Sequence, residues 1–270
     1  MLNLLKKIRH RHLFFLRPIW VFLGSIYRFI NFKLKLNIIS ETKIGQYGPF
    51  KVDGFFVFSD LENWGESNNN DFKPLIESCV DKKSIIDIGA HVGWVSMPLS
   101  KMVNKNTHIH AIEPGKSNRY YLRKHLEINN IKNVTIHNHL LGKECSNEVK
   151  FYEKDFPSGC NSVIQIEGKG DFNTSKLEQL SLDVFCARLN LMPDLIKIDV
   201  EGMEFDVLQG GINIIKKCKP IIFLSYHQRY LRQIGVTEKN FLKLVRSLGY
   251  FSNIKLNKIS NTEIILKPKL

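Results

Sequence analysis

The sequence predicts an α/β protein: a doubly wound, mostly parallel sheet of seven strands, preceded by a basic helix and a small β-hairpin. Three observations favour this class. Short apolar, β-branched runs alternate with helical segments, a glycine-punctuated turn follows the first run, and acidic residues end three of the runs. Alternating strands and helices favour parallel pairing through right-handed crossovers. Such sheets bind ligands at the carboxyl ends of their strands, so the acids mark a candidate site.

The predicted strands set the positions of the motifs. In chain order they are residues 84–88, 108–112, 134–137, 195–200, 221–224, 251–256 and 262–266. The last two are expected to form a hairpin with an antiparallel strand. A further strand pair is predicted within 148–166, with its turn at 157–159. Gly210 and Gly211 indicate the end of a helix, since glycine commonly follows helices.

The first predicted strand ends in the pattern Asp87-x-Gly89-x-x-x-Gly93. Glycine lets the backbone turn tightly and approach a ligand. The spacing is neither the Gly-x-Gly-x-x-Gly of dinucleotide dehydrogenases nor a P-loop. An acid before the first glycine suits a ligand with an ammonium group or hydroxyls, and S-adenosylmethionine is such a ligand.

A second acid, Glu113, ends the second predicted strand, about one helix and one strand after Asp87. A carboxylate at this place in a doubly wound sheet commonly binds the ribose hydroxyls of a nucleoside cofactor. The alternative is a solvated acid at a strand end.

Three carboxylates, Asp199, Glu201 and Glu204, follow the buried run at 195–198. Acids this close repel one another unless they bind a cation, share a proton or hydrogen-bond a polar substrate. The alternative is that Glu201 and Glu204 only favour the first turn of the next helix through its dipole.

Four segments, 86–93, 111–114, 181–183 and 196–204, resemble the FkbM-type family of S-adenosylmethionine-dependent O-methyltransferases. The resemblance extends over about residues 64–230. It implies a Rossmann-like class I methyltransferase fold and methylation of a hydroxyl, often on sugars, glycolipids or polyketide-derived metabolites. The expected S-adenosylmethionine-binding residues are Asp87, Gly89, Ala90, His91, Gly93, Glu113 and Pro114.

Three positions depart from the family pattern. His91 stands where such proteins usually have asparagine, and Ser225 where they often place glutamate. Pro98 lies in the helix expected after the glycine turn, where a proline would kink it. The Ser225 difference puts in doubt any acceptor-binding role at that position.

Methyl transfer to a neutral hydroxyl should need a general base. His227, after the strand at 221–224, is the best-placed candidate, Asp199 is the second, and Glu201 completes the expected catalytic set. Alternatively, His227 only hydrogen-bonds its loop, and Asp199 orients the acceptor or helps to bind a divalent ion. No metal site is predicted.

The chain divides into a basic helical extension (1–40), a hairpin and loop (41–70) and the catalytic domain (71–270). The net charge is +13, and the first forty residues contain no acid. Their Lys and Arg residues are Lys6, Lys7, Arg9, Arg11, Arg17, Arg28, Lys33 and Lys35. Aromatic residues among these charges favour a helix on an anionic membrane surface. The alternative is packing on the domain or on a second subunit as a homodimer.

The segment is too interrupted by charge to span a bilayer, and it lacks the cleavage site of a signal peptide. Five scattered cysteines favour a reducing cytosol. We therefore expect a cytoplasmic protein, peripheral on the inner membrane face if the helix docks there.

The expected partner is a small-molecule or glycan acceptor, and no nucleic acid is expected. The competing functions are a membrane-docked cofactor-binding module without catalysis and a nucleic-acid methyltransferase. A nicotinamide-dependent oxidoreductase is disfavoured by the glycine spacing.

Overall fold

The computed structural model describes residues 17–34, 36–66, 69–165, 170–252 and 262–269. Parts of the expectations above lie outside these ranges. They are residues 1–16 and 35 of the basic extension, 67–68 of the loop after the hairpin, 166 of the strand pair predicted within 148–166, and 253–256 of the last hairpin. Among the described residues, no helix combines the length and the apolar character needed to cross a membrane.

The first elements precede the central sheet. They are helix α1 (Arg17–Leu34), strands β1 (Ile39–Ile44) and β2 (Tyr47–Asp53), a 3-10 turn (Gly54–Phe56) and helix α2 (Phe72–Glu77). Strands β1 and β2 pair antiparallel, as the predicted hairpin requires. Phe50, Phe55 and Phe56 are buried in a core cluster with residues of the central sheet. The hairpin and the turn after it therefore contribute to the core.

The seven strands of the central sheet are β3 (Ser84–Ile88), β4 (His108–Ile112), β5 (Val134–His137), β9 (Leu195–Ile198), β10 (Ile221–Tyr226), β11 (Tyr250–Ser252) and β12 (Thr262–Pro268). Their spatial order is β11-β12-β10-β9-β3-β4-β5. Strands β3, β4, β5, β9 and β10 pair in parallel, while β12 is antiparallel to β10 and β11. The predicted doubly wound, mostly parallel seven-stranded sheet is confirmed.

The helices between these strands are α3 (Ser96–Met102), α4 (Lys116–Ile128), α5 (Leu182–Arg188), α6 (Glu204–Gly210), α7 (Ile212–Cys218), α8 (Gln228–Gln233) and α9 (Glu238–Ser247). Helix α6 ends at Gly210, as predicted. Pro98 does not lie in the interior of a helix, because α3 begins only at Ser96. Pro98 then lies in the first turn, where the missing N–H would have no partner in the helix.

A separate three-stranded sheet is found where the sequence predicted a strand pair within 148–166. Its strands are β6 (Leu140–Gly142), β7 (Ser146–Glu153) and β8 (Asn173–Ser181), in the order β6-β8-β7. Strand β7 pairs antiparallel with β8, while the segment after the 157–159 turn makes only a bridge from Ser162 to Tyr152. Strand β8 was not predicted from the sequence, because its side chains are mostly polar and little buried.

The central sheet separates two apolar layers. Ile86 and Ile88 of β3 pack on one face, and Ile85 packs on the other. Because successive side chains of a strand alternate between faces, Asp87 lies on the Ile85 face. Lys197 and Ser225 lie on that same face by the same alternation along β9 and β10. One face of the sheet thus turns polar towards its carboxyl edge.

Candidate active site

A cavity of about 210 Å³ lies at this polar carboxyl edge. Of the predicted site residues, those that line it are Gly89, Ala90, His91, Glu113, Pro114, Asp199 and Glu201. The other three, Asp87, Gly93 and His227, do not line it. The structure therefore brings most of the predicted cofactor and acceptor residues to one site and leaves three outside its lining.

The two glycines of the turn are required by the backbone. Gly89 has φ +77°, and a Cβ there would lie 1.8 Å from the carbonyl oxygen of Asp199. Gly93 has φ +97°, and its Cβ would lie 2.8 Å from Leu122 Cδ1. Gly89 thus allows the ends of β3 and β9 to meet, which joins the glycine turn to the acidic segment. Gly93 allows α4 to pack on the turn.

Asp87 is fully buried beneath the cavity. One of its oxygens accepts a 2.6 Å hydrogen bond from the Ser96 hydroxyl, and the other lies 3.3 Å from Lys197 Nζ. Both carboxylate oxygens of Asp87 therefore face side chains of the protein and not the cavity. We expect it to act by holding Lys197 and the first turn of α3.

Lys197 connects the glycine turn after β3 with the acidic segment after β9. Its Nζ donates to the Gly89 carbonyl at 2.7 Å and lies 3.6 Å from Asp199. Burial disfavours the charge of Lys197, but the carboxylates of Asp87 and Asp199 outweigh it and raise the lysine pKa. The sequence analysis missed this residue, although a lysine inside a fully buried strand must have a charged partner.

Glu113 is buried and braces the glycine turn. It accepts hydrogen bonds from the backbone N–H groups of His91 (2.8 Å) and Gly115 (2.9 Å) and from the Asn118 amide (3.3 Å). Burial raises the pKa of Glu113 to about 7, although these donors and Lys197 lower it. Asn118, which the sequence analysis did not select, also lines the cavity and bonds the backbone at Ser158.

His91 has φ +52°, a conformation that asparagine and histidine adopt more readily than most residues. This backbone requirement explains why histidine can replace the family's usual asparagine. Burial lowers the pKa of His91 to about 4, so its ring is neutral near pH 7. Its Nε2 is buried without a hydrogen-bond partner among the described residues. The ring therefore has an unused polar atom beside the cavity.

His227 lies behind Asp199 and Glu201. Its Nδ1 is 2.8 Å from Glu204, and its Nε2 is 3.7 Å from Asp199 and 3.6 Å from Glu201. Burial disfavours its charge, but Glu204 and the two other carboxylates outweigh it and raise the His227 pKa to about 10. At neutral pH the ring is charged and already carries the proton that a general base would have to accept. The predicted role of a general base is therefore not favoured. The geometry favours a residue that positions the two carboxylates.

Glu204, fully buried, also accepts hydrogen bonds from the backbone N–H groups of Val200 and Gly202. It thus orders the loop before α6 as well as His227. Ligand atoms of Asp199, Glu201 and His227 lie within 4.8 Å of one another, a spacing that can hold a metal ion. Proton sharing and cation binding, two of the alternatives considered from the sequence, therefore both fit this cluster.

A carboxylate also lies beside Ser225, where the family often places glutamate. The register of β10 and β12 pairs Ser225 with Glu263. The Ser225 hydroxyl donates to the Glu263 carboxylate at 2.9 and 3.0 Å, and both residues line the cavity. Burial and Asp199 raise the pKa of Glu263. Strand β12 thus supplies a carboxylate, Glu263, next to the position where Ser225 replaces glutamate. Sequence spacing alone could not reveal this pair.

The charge of His227 predicts a pH dependence of stability. Its pKa is raised from 6.5 to about 10 in the folded chain. The resulting stabilisation is therefore complete below about pH 6.5 and is lost as the pH rises through about 10. We expect urea unfolding to show a difference between wild type and His227→Gln that shrinks across this window. Parallel pH profiles for the two proteins would contradict the assignment.

Comparison with known proteins places this site in a family. The model of the methyltransferase FkbM domain matches residues 87–252, more than half of the chain. "Methyltransferase 1" of Beauveria bassiana (strain ARSEF 2860) is 26% identical over 149 residues, covering 48% of this chain and 59% of that protein. The match thus spans less than two thirds of the relative's length.

Two solved methyltransferases have low similarity to the chain. Methyltransferase FkbM from Methylobacillus flagellatus KT has a TM-score of 0.44 and 18% identity, covering 69% of this chain and 43% of that one. TYW2 from M. jannaschii, solved in complex with AdoMet, has a TM-score of 0.41 and 16% identity, covering 86% and 84%. Because the family model matches most of the sheet and its acidic edge, the chain belongs to the FkbM methyltransferase family.

Proposed function

We propose that this protein is an S-adenosylmethionine-dependent O-methyltransferase whose acceptor is an uncharged, hydroxyl-bearing molecule, such as a sugar, a glycan or glycolipid precursor or a small metabolite. The observation that carries the proposal is the single cavity shared by the glycine turn, Glu113, and the pair Asp199 and Glu201. Family membership supports methyl transfer. The charges of the cavity wall support the acceptor class.

The cofactor side of the cavity fits S-adenosylmethionine. Glu113 offers a buried carboxylate for the ribose hydroxyls, and His91 offers its unpartnered Nε2. When bound, the cofactor supplies a methyl group on a positively charged sulfur, which an acidic cavity would favour electrostatically.

The acceptor class follows from the charge of the cavity wall. Among the described residues, the wall carries five carboxylates and one lysine. The carboxylates are Asp71, Glu113, Asp199, Glu201 and Glu263. A negatively charged acceptor would be repelled by these carboxylates, whereas sugar hydroxyls can donate hydrogen bonds to them. The charge of this wall supports an acceptor other than nucleic acid.

Asp199 and Glu201 are the proposed groups that act on the acceptor. The proton of the acceptor hydroxyl would pass to Asp199, while the charged His227 ring behind it holds both carboxylates in place. Alternatively, the same three side chains hold a divalent cation that orients the acceptor oxygen. A chelator titration during turnover distinguishes these roles, because only the second loses activity and regains it with added Mg²⁺ or Mn²⁺.

The experiment that tests the function has two parts. Calorimetry with S-adenosylhomocysteine measures cofactor binding, and transfer of a radiolabelled methyl group to a panel of sugars, glycolipids, small metabolites and RNA measures activity. Binding with transfer to a hydroxyl of an uncharged acceptor supports the proposal. Binding without transfer to any acceptor favours the non-catalytic module. Transfer to RNA, with binding that weakens steeply as salt increases, favours the nucleic-acid enzyme.

Substitution of Glu113 tests the cofactor assignment. We expect Glu113→Gln to weaken S-adenosylhomocysteine binding by about 1.5–3 kcal/mol, because a charge-assisted acceptor is lost. The matched control is Glu127→Gln, an exposed glutamate on α4. Calorimetry measures both affinities, and thermal unfolding checks that each variant is folded. Equal affinity in wild type and a folded Glu113→Gln variant would remove Glu113 from the cofactor site.

A further inference from the structure

Helix α1 packs on the domain through its less apolar side. Gly24 and Asn31 are buried there, and Tyr27 and Phe32 are half-buried. The Tyr27 ring meets Phe58 with centroids 5.3 Å apart. Contact of α1 with the 3-10 turn places the helix on the core, so the packing alternative considered from the sequence describes one face. It leaves the opposite face to be explained.

The opposite face of α1 is apolar and open to solvent. Its large side chains are between 41% and 66% exposed. They are Ile19, Phe22, Leu23, Ile26, Phe29, Ile30 and Leu34. Their spacing of three and four residues forms a continuous stripe along the helix. Scattered surface leucines need no explanation, but a contiguous apolar stripe on a soluble surface indicates a binding face.

Charge complementarity indicates what this face binds. The first forty residues carry eight Lys and Arg side chains and no acid. On the helix itself, Lys33 is exposed beside the stripe, with its Nζ 5.9 Å from the centre of the Phe29 ring. Two copies of so basic a segment would repel each other across a dimer interface. An anionic bilayer surface offers both an apolar layer for the stripe and phosphates for the lysines and arginines.

We propose that the stripe of α1 docks on an anionic phospholipid membrane surface, with the helix lying in the plane of the interface. The proposal concerns a surface remote from the acidic cavity and does not depend on the methyl-transfer function. The helix is amphipathic with an unusual orientation, because its apolar side faces away from the domain. Membrane docking accounts for this orientation, whereas packing on the domain does not.

Vesicle sedimentation of the full chain tests this proposal. Vesicles of phosphatidylcholine alone are compared with vesicles that also contain phosphatidylglycerol, each at low and high salt. We expect binding to the anionic vesicles that weakens at high salt. Combined Phe22→Asp and Phe29→Asp substitutions should reduce the bound fraction by ~tenfold or more, because two exposed aromatic anchors are lost. Lys33→Glu should reduce only the preference for anionic lipid.

The matched control removes an equally exposed side chain elsewhere. Leu23 is 47% exposed on the stripe, and Leu189 is 42% exposed at the end of α5. We expect Leu23→Asp to weaken vesicle binding and Leu189→Asp to leave it unchanged, with thermal unfolding confirming that both are folded. Absence of wild-type binding, or equal effects of the two leucine variants, would overturn the proposal. So would a lipid-free wild-type dimer that the Phe22 and Phe29 substitutions convert to a monomer.

Discussion

Lys197→Met is expected to destabilise the fold by about 3–5 kcal/mol, because it leaves the buried Asp87 carboxylate without its cationic partner. Asp87 is fully buried and 3.3 Å from Lys197 Nζ, and its other oxygen accepts, within the part of the chain that the structure describes, only from the Ser96 hydroxyl. A loss of this size is a large fraction of the stability of a typical domain. Urea unfolding measures it directly.

An exposed ion pair provides the matched control. Lys176 lies 2.6 Å from Glu148, but both side chains are more than 60% exposed, so the pair is screened by water. Lys176→Met should therefore cost less than about 1 kcal/mol. Adding Asp87→Asn to Lys197→Met should restore part of the stability, because the uncompensated charge is then gone. Equal costs for the two lysine substitutions would show that Lys197 is not a structural counter-ion.

Asp199→Asn is expected to lower the turnover number by about two to four orders of magnitude, if Asp199 takes the acceptor proton as proposed. The amide has nearly the same shape as the carboxylate but cannot accept the proton. Asp81→Asn is the matched control, since Asp81 is exposed and precedes β3, at the edge of the sheet opposite the cavity. The measurement is radiolabelled methyl transfer to the acceptor found in the panel.

The turnover of a His227 variant distinguishes a positioning role of this residue from a catalytic one. His227→Gln should lower turnover less than Asp199→Asn, because the ring does not line the cavity and acts through the carboxylates beside it. If the order of the two effects is reversed, His227 is the base, as the sequence analysis expected. If Asp199→Asn remains within tenfold of wild type, the acceptor proton leaves through another group.

Local patterns predicted the parts of this protein that depend on a few consecutive residues. Strands β3, β4 and β5 were predicted at their observed bounds. Strand β3 is a short buried run of mostly apolar residues, whereas β4 alternates polar and apolar residues. The glycine turn was predicted because only glycine readily takes the positive φ of Gly89 and Gly93. The acidic strand ends were found because carboxyl ends of parallel strands share one edge.

The pairs that complete the site were not predictable in this way. Lys197 meets Asp87 across neighbouring strands, and Ser225 meets Glu263 through the register of β10 with β12. Glu204 reaches His227 from the first turn of α6. Each partner lies many positions away in the chain, and no spacing rule connects them. Strand β8 was missed for the same reason, since its partners are distant and its residues mostly polar.

The sequence by itself determined the sheet, the glycine turn, the candidate cofactor acids and the basic character of the first forty residues, because each depends on residue type and local spacing. Only the tertiary structure decided that Asp87 and His227 lie behind the cavity, that Lys197 joins the two halves of the site, and that α1 turns its apolar stripe outward. These depend on which side chain faces which neighbour. That choice is made by packing, register and burial of charge across the whole fold.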